Sequence, residues 1–262
     1  MRQIAIVGLG LIGGSLGLRL RALGLGRVAG IDADEEVARR AVERGAADEA
    51  SADLSGVAEA EVVFVAVPLE RTIAVAREAA ARARKDAIVT DVASVKAPIT
   101  AALAGLREVR YVGGHPMFGS AGRGIDDADG DLPAGQPYVL TPTEDADDGA
   151  TQTLVQLIQQ LGMRPVLLSP EAHDRAAAEA SHLPYLVAQL LRAAAGVDAR
   201  EIAGPAFRDA TRVAQSPPDL WAEVLKHNRK HVLAALDEFA EALTKTREAL
   251  ARGHFQQVVR VR

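Results

Sequence analysis

The 262-residue chain contains no cysteine, which removes disulfides, thiolate nucleophiles and cysteine-held zinc at the outset. It has no excess of basic charge: 30 Lys and Arg stand against 35 Asp and Glu, for a net charge of −5. Aromatics are scarce at 3%, and no basic stripe is interleaved with them, so a nucleic-acid partner is not expected. Nor is there a membrane-spanning run. The uncharged stretch 4–18 is too short to cross a bilayer, is interrupted by Gly8, Gly10, Gly13, Gly14 and Gly17, and is followed by no small-residue cleavage site. With 48% hydrophobic and 25% charged residues the composition is that of an ordinary folded protein, and a reducing cytoplasm fits it.

The apolar residues that are present fall in two patterns. Up to residue 168, short β-rich runs at 4–7, 28–31, 62–67, 87–90, 138–140 and 165–168 alternate with helically spaced segments at 12–23, 35–44, 72–82, 98–106 and 150–161. That alternation predicts βαβ units and a parallel sheet covered on both faces. From 169 onward Ala, Leu, Arg and Glu dominate with helical spacing, cut at Pro184, Gly196, Gly204-Pro205 and Ser216-Pro217-Pro218 into four or five helices. The reading is therefore an α/β domain over 1–168 followed by an all-α domain over 169–262.

Gly8-Leu9-Gly10-Leu11-Ile12-Gly13 stands directly after the first run and opens the first helix. In a Rossmann dinucleotide-binding domain the first glycine makes a tight turn and the second lets the backbone approach a pyrophosphate. The third packs helix on strand, and the helix N-terminus offers N–H groups to the phosphates. Asp32 ends the next run about twenty residues on, where a carboxylate accepts hydrogen bonds from a ribose and repels the extra phosphate of NADP, so NAD is expected. Gly8, Gly10, Leu11, Ile12, Gly13 and Asp32 are the expected cofactor contacts, joined by Val67 and Pro68 at the end of the third run and by Asp91 after the fourth. The plainer alternative is that the glycines only pack and Asp32 only caps the helix from Glu35.

Chemistry beyond the cofactor has three candidate locations. Asp91, Ser94 and Lys96 lie between a strand and a helix, at the carboxyl end of the sheet where ligands bind. Gly113-Gly114-His115-Pro116 reads as a glycine-dense loop, and His115 is the best general-base candidate, because an imidazole titrates near ~6.5. In the helical half, Ser181-His182 precedes Pro184, and Thr211-Arg212 precedes Trp221; an Arg at a helix end can clamp a carboxylate. No metal site is expected. His227 and His231 are flanked by Lys226, Arg229 and Lys230, and the Asp-rich stretch from Asp126 lacks calcium-loop spacing.

Taken together, Gly8–Ser15, Asp91-Val92-Ala93-Ser94-Val95-Lys96, Gly113-Gly114-His115-Pro116-Met117, Pro137-Tyr138-Val139-Leu140-Thr141-Pro142, His173-Asp174, Ser181-His182-Leu183-Pro184 and Arg212 with Trp221 resemble the prephenate/arogenate dehydrogenases of tyrosine biosynthesis. The resemblance spans nearly the whole chain. It implies a Rossmann domain, a helical domain that forms a homodimer, an active site in the cleft between the domains, and oxidative decarboxylation of prephenate or arogenate with hydride transfer to NAD. By the same resemblance His115 takes the ring hydroxyl proton, Ser94 orients it, His182 and Arg212 hold substrate carboxylates, and Lys96 and Trp221 stand in the pocket wall. Two positions depart from the pattern: many members have a small residue in place of Phe118 and often an acidic one in place of Ala121, which leaves the choice of substrate open. No room for a fused mutase or regulatory domain is expected. Two other readings are a related hydroxyacid dehydrogenase or imine reductase, and a non-catalytic NAD-binding sensor.

Overall fold

In the computed structural model, which describes residues 1–106, 109–120, 122–143, 146–216 and 218–259, the first strand shows how the sheet is built. Strand β1 (Gln3–Val7) turns Ile4 and Ile6 to one face and Ala5 and Val7 to the other, and all four are buried. A strand apolar on both faces needs a covering layer on each side. Ile4 and Ile6 meet Leu16 and Leu20 of α1 (Leu11–Ala22). Ala5 and Val7 belong to the opposite cluster, with Ala76 and Ala79.

The remaining strands of this sheet are β2 (Arg27–Ile31), β3 (Glu49–Ser51), β4 (Val62–Val65), β5 (Ile88–Asp91) and β6 (Arg110–Tyr111). They run parallel in the order β3-β2-β1-β4-β5-β6, the doubly wound arrangement of a Rossmann fold. Helix α2 (Glu35–Glu43) follows β2, α3 (Leu69–Arg82) follows β4, and α4 (Ala97–Leu103) follows β5. A second, three-stranded sheet is made of β7 (Gly113–Pro116), β8 (Pro137–Thr141) and β9 (Arg164–Leu167), with β7 antiparallel to β8 and β8 parallel to β9. Helix α5 (Asp148–Gln160) closes the same side as α1 through Leu154, Leu157 and Ile158.

Three differences from the sequence reading concern this half, the first being that the runs at 138–140 and 165–168 form the separate second sheet rather than extending the parallel one. The Gly113-Gly114-His115 segment is a strand rather than a loop, and β3 is added at the sheet edge. The glycines of β7 have a steric reason: a Cβ on Gly114 would lie 2.6 Å from the Asp91 carbonyl oxygen and 2.8 Å from the Tyr138 hydroxyl.

From residue 170 the chain is helical. The elements are α6 (Pro170–Ala177), a π turn (Ala178–His182), α7 (Leu183–Ala194), α8 (Val197–Glu201), α9 (Pro205–Thr211), a 3-10 turn (Arg212–Gln215), α10 (Pro218–His227), α11 (Arg229–Ala251) and α12 (Phe255–Val258). Pro184 does not break the chain as expected. It sits in the first turn of α7, where a missing N–H is tolerated, and the wider π turn precedes it. An unpredicted break falls at Asn228, while Pro217 lies outside the described residues.

By contacts the chain forms two units, Met1–Asp174 with Ser216–Val224, and Arg175–Gln215 with Leu225–Arg262. In the first, Val224 and Trp221 join the apolar cluster of α3 and α4. In the second, Ala178, Val232 and Ala235 make a small core with Leu183 and Leu186.

Candidate cofactor and catalytic sites

The glycine motif behaves as its spacing predicts. Gly8 has φ +95° and a Cβ there would meet the Ala66 carbonyl at 2.4 Å, so only glycine makes this turn. A Cβ on Gly13 would lie 1.9 Å from the Gly8 carbonyl, which is the close helix–strand contact. A Cβ on Gly10 would meet no described atom within 4 Å beyond its own chain neighbours. That open cradle is where backbone can approach a ligand, and no side chain caps α1, whose first turn holds Leu11, Ile12 and Gly13.

Asp32 closes the other end of the site. Leu9 N–H donates to its Oδ2 at 2.8 Å and Asp34 N–H to its Oδ1 at 3.1 Å, which ties the carboxylate to the glycine loop. Capping of α2 belongs to Asp34, which accepts from Glu36 and Val37 N–H. The alternative that Asp32 merely caps that helix therefore fails.

Gly8, Gly10, Asp32, Val67 and Pro68 line one cavity of about 680 Å³. Its walls add residues that sequence reasoning missed, including Asp53, Ser55 and Arg71. They come from the turn after β3 and the start of α3, and only the unrecognised edge strand β3 brings that turn to the cavity. An open glycine cradle, an uncapped helix N-terminus and a fixed carboxylate fit a dinucleotide.

Asp91 and Lys96 are placed differently from the reading that gave them to cofactor and substrate. Both side chains are wholly buried. The Lys96 ammonium donates to Asp91 Oδ1 and, at 2.6 Å, to the Gly114 carbonyl. Asp91 also accepts from Ala93 N–H at 2.9 Å and from the Tyr111 hydroxyl at 2.7 Å. Burial pulls the Lys96 ammonium below its usual range, partly offset by Asp91, and burial followed by the Asp91 charge pushes the Tyr111 hydroxyl well up. This network braces the strand that carries His115.

His115 is buried in β7, opposite Val139. Its Nδ1 lies 2.8 Å from His173 Nε2, and His173 Nδ1 lies 2.8 Å from Asp174 Oδ1. Asp174 in turn accepts from the backbone N–H groups of Lys96 and Ala97, at 2.7 and 2.9 Å. Burial pushes the Asp174 carboxyl up, but the hydrogen bonds from His173, Lys96 and Ala97 outweigh it and hold the group below its ordinary value. Ser94 is half-buried in the loop between β5 and α4. Phe118 packs, partly buried, on the α1 side of the sheet, and Ala121 lies outside the described residues.

In the second unit His182 ends the π turn, 1% exposed, and Asn228 Nδ2 donates to its Nδ1 at 3.1 Å. An imidazole accepting at Nδ1 carries its proton on Nε2 and is a donor there. Arg212 is exposed in the 3-10 turn, which is pinned to α7 by Gln189 Nε2 donating to the Ala214 carbonyl at 3.1 Å. Trp221, in the first unit, is half-buried against the α3 and α4 cluster.

Fold and cavity together define a dinucleotide-binding protein of the Rossmann class with a helical second unit. Residues 16–167 match the family model for the prephenate dehydrogenase nucleotide-binding domain, and residues 169–261 that for the prephenate dehydrogenase dimerization domain. Prephenate dehydrogenase of Bacillus subtilis is 35% identical over 255 residues, covering 93% of this chain and 69% of that protein. The crystal structure of Synechocystis arogenate dehydrogenase is 35% identical with a TM-score of 0.84, covering 98% of this chain and 95% of that one. Prephenate dehydrogenase from Aquifex aeolicus, in complex with hydroxyphenyl propionate and NAD+, is 29% identical with a TM-score of 0.88, covering 99% and 94%. The chain belongs to the prephenate dehydrogenase family.

Proposed function

We propose that this protein catalyses the NAD-dependent oxidative decarboxylation of prephenate or arogenate, with His115 as the proton acceptor. The observation that carries the reading is a buried histidine held through a hydrogen-bonded chain, in the same unit as a cavity built for a dinucleotide.

Bound NAD would supply the acceptor for the hydride of the ring carbinol carbon. Gly8, Gly10 and the first turn of α1 would hold its pyrophosphate, and Asp32 its ribose. His115 takes the hydroxyl proton as the carbon is oxidised, and Ser94 orients the ring and the imidazole. Loss of carbon dioxide returns an electron pair to the ring, which becomes aromatic, and His115 gives the proton back to the ring oxygen. Aromatisation drives the step, so these residues act by positioning and by holding one proton. His182, a donor at Nε2, and Arg212 hold the substrate carboxylates.

The same reading makes the protein a cytoplasmic homodimer through its helical unit. Among the described residues no helix is long and apolar enough to cross a membrane. In the helical unit Val197, Ile202 and Phe255 are 82, 84 and 64% exposed, and Leu190, Leu233 and Leu243 are half exposed or more, apolar side chains that a second copy would cover. A hydroxyacid dehydrogenase would leave the hydrogen-bonded chain behind His115 without a task.

The test is NADH formation by the purified protein offered prephenate, arogenate and a panel of 3-hydroxyacids, with NAD and with NADP. Turnover of a ring substrate with NAD is expected; turnover of hydroxyacids alone would overturn the reading.

A further inference from the structure

We propose that His173 and Asp174 act with His115 as a buried two-imidazole relay, fixing the His115 tautomer and storing the transferred proton until the ring oxygen takes it back. The inference rests on the proposed reaction and goes beyond it by naming two positioning residues that need not touch the substrate.

Asp174 accepts two backbone N–H bonds and is held below its ordinary value, so it is ionised and can only accept. Its third bond, at 2.8 Å, must therefore be donated by His173 Nδ1–H. A neutral His173 then has an acceptor at Nε2, and the 2.8 Å contact from His115 is donated by His115 Nδ1–H. His115 is left with its lone pair on Nε2, the form a base needs. The rings meet edge to face, with centroids 5.1 Å apart and planes at 66°, a geometry in which the nitrogens rather than the faces are in contact.

The same chain can move charge. When the substrate O–H bond breaks, an N–H bond forms at His115 Nε2. The His115 Nδ1–H proton can then pass to His173 Nε2, so the positive charge settles between His173 and Asp174 and His115 is neutral again. Reversing both transfers returns the proton when the ring oxygen becomes a phenolate. No proton is lost to solvent, and no other reactant is required.

Among the described residues, the ionisable groups near this chain include Asp91 and Lys96 on the β5–α4 segment, Tyr111 on β6 and Tyr138 on β8, with Glu171 and Arg175 on α6 itself. Asp91 and Lys96 neutralise one another. Burial holds both tyrosine hydroxyls up, so they stay protonated at neutral pH. Asp174 is the carboxylate in direct contact with the imidazoles, and its charge also acts on the Lys96 ammonium.

Because Asp174 also holds the start of α4, His173→Gln is the main variant and Asp174→Asn the second. Glutamine can still accept from His115 but cannot take up a proton. For folded, NAD-binding His173→Gln we expect kcat to fall on the order of 10- to 100-fold, by analogy with partners that orient a metal-bound histidine, with KM nearly unchanged. The acid limb of the kcat profile should move to lower pH in both variants, because the charge that favours the imidazolium is lost or disconnected. A purely structural role would lower melting temperature but leave kcat per NAD site and the acid limb in place, and that result overturns the relay. So would 15N imidazole shifts showing the His115 proton on Nε2 at neutral pH. If instead the wild-type protein fails to oxidise any ring substrate, the proposed reaction fails.

Discussion

Lys96 shows how a single buried charge can support a site without facing it. Its ammonium is wholly enclosed and bonded to Asp91 and to the Gly114 carbonyl, one residue before His115. Removing one partner of such a pair strands the other in a medium that solvates it poorly. Lys96→Met should therefore destabilise the fold by about 3–5 kcal/mol in urea unfolding. A loss under about 1 kcal/mol would mean that Asp91 finds compensation elsewhere. The sequence could not reveal this: Asp91 and Lys96 flank a loop at the carboxyl end of a strand, where ligand-facing side chains are common, and nothing local marks a charge as buried. His115 was legible by its type, and His173-Asp174 by its match to a family motif. The bond joining His115 to His173 crosses 58 residues of chain and needs the fold to bring it about.

At the scale of elements, the turn from β1 into α1 sets a glycine that packing requires beside one that packing does not. A methyl at Gly13 would be driven into the Gly8 carbonyl, whereas one at Gly10 would occupy open space. Gly13→Ala should lower the melting temperature by several degrees or prevent folding. Gly10→Ala should melt like the wild type yet bind NAD at least tenfold more weakly in a calorimetric titration. Equal NAD affinity in Gly10→Ala would remove the pyrophosphate from that cradle. The strands that carry long apolar runs, such as 4–7 and 62–65, were readable because burial on both faces leaves an uninterrupted hydrophobic signature. Strand β3 is short and polar at the edge, and β7 is Gly-Gly-His-Pro, a composition that reads as a turn until its tight packing on β5 is seen.

At the scale of the whole molecule, the periodicity changes after residue 168, whereas by contacts the first unit runs to Asp174 and also takes in Ser216–Val224 from the helical stretch. The helical unit leaves Leu243 on α11 58% exposed along with other large apolar side chains. If a second copy covers them, Leu243→Glu should convert a sedimenting dimer to a monomer at low micromolar concentration; a wild-type monomer would contradict this. The central claim is that this chain couples hydride transfer to loss of carbon dioxide through His115. Its most direct test measures NADH and carbon dioxide together from the ring substrate, in wild type and in His115→Asn. One NADH per carbon dioxide is predicted, with turnover reduced on the order of 100-fold in the variant while NAD still binds. NADH without carbon dioxide, or an undiminished rate in His115→Asn, would contradict it.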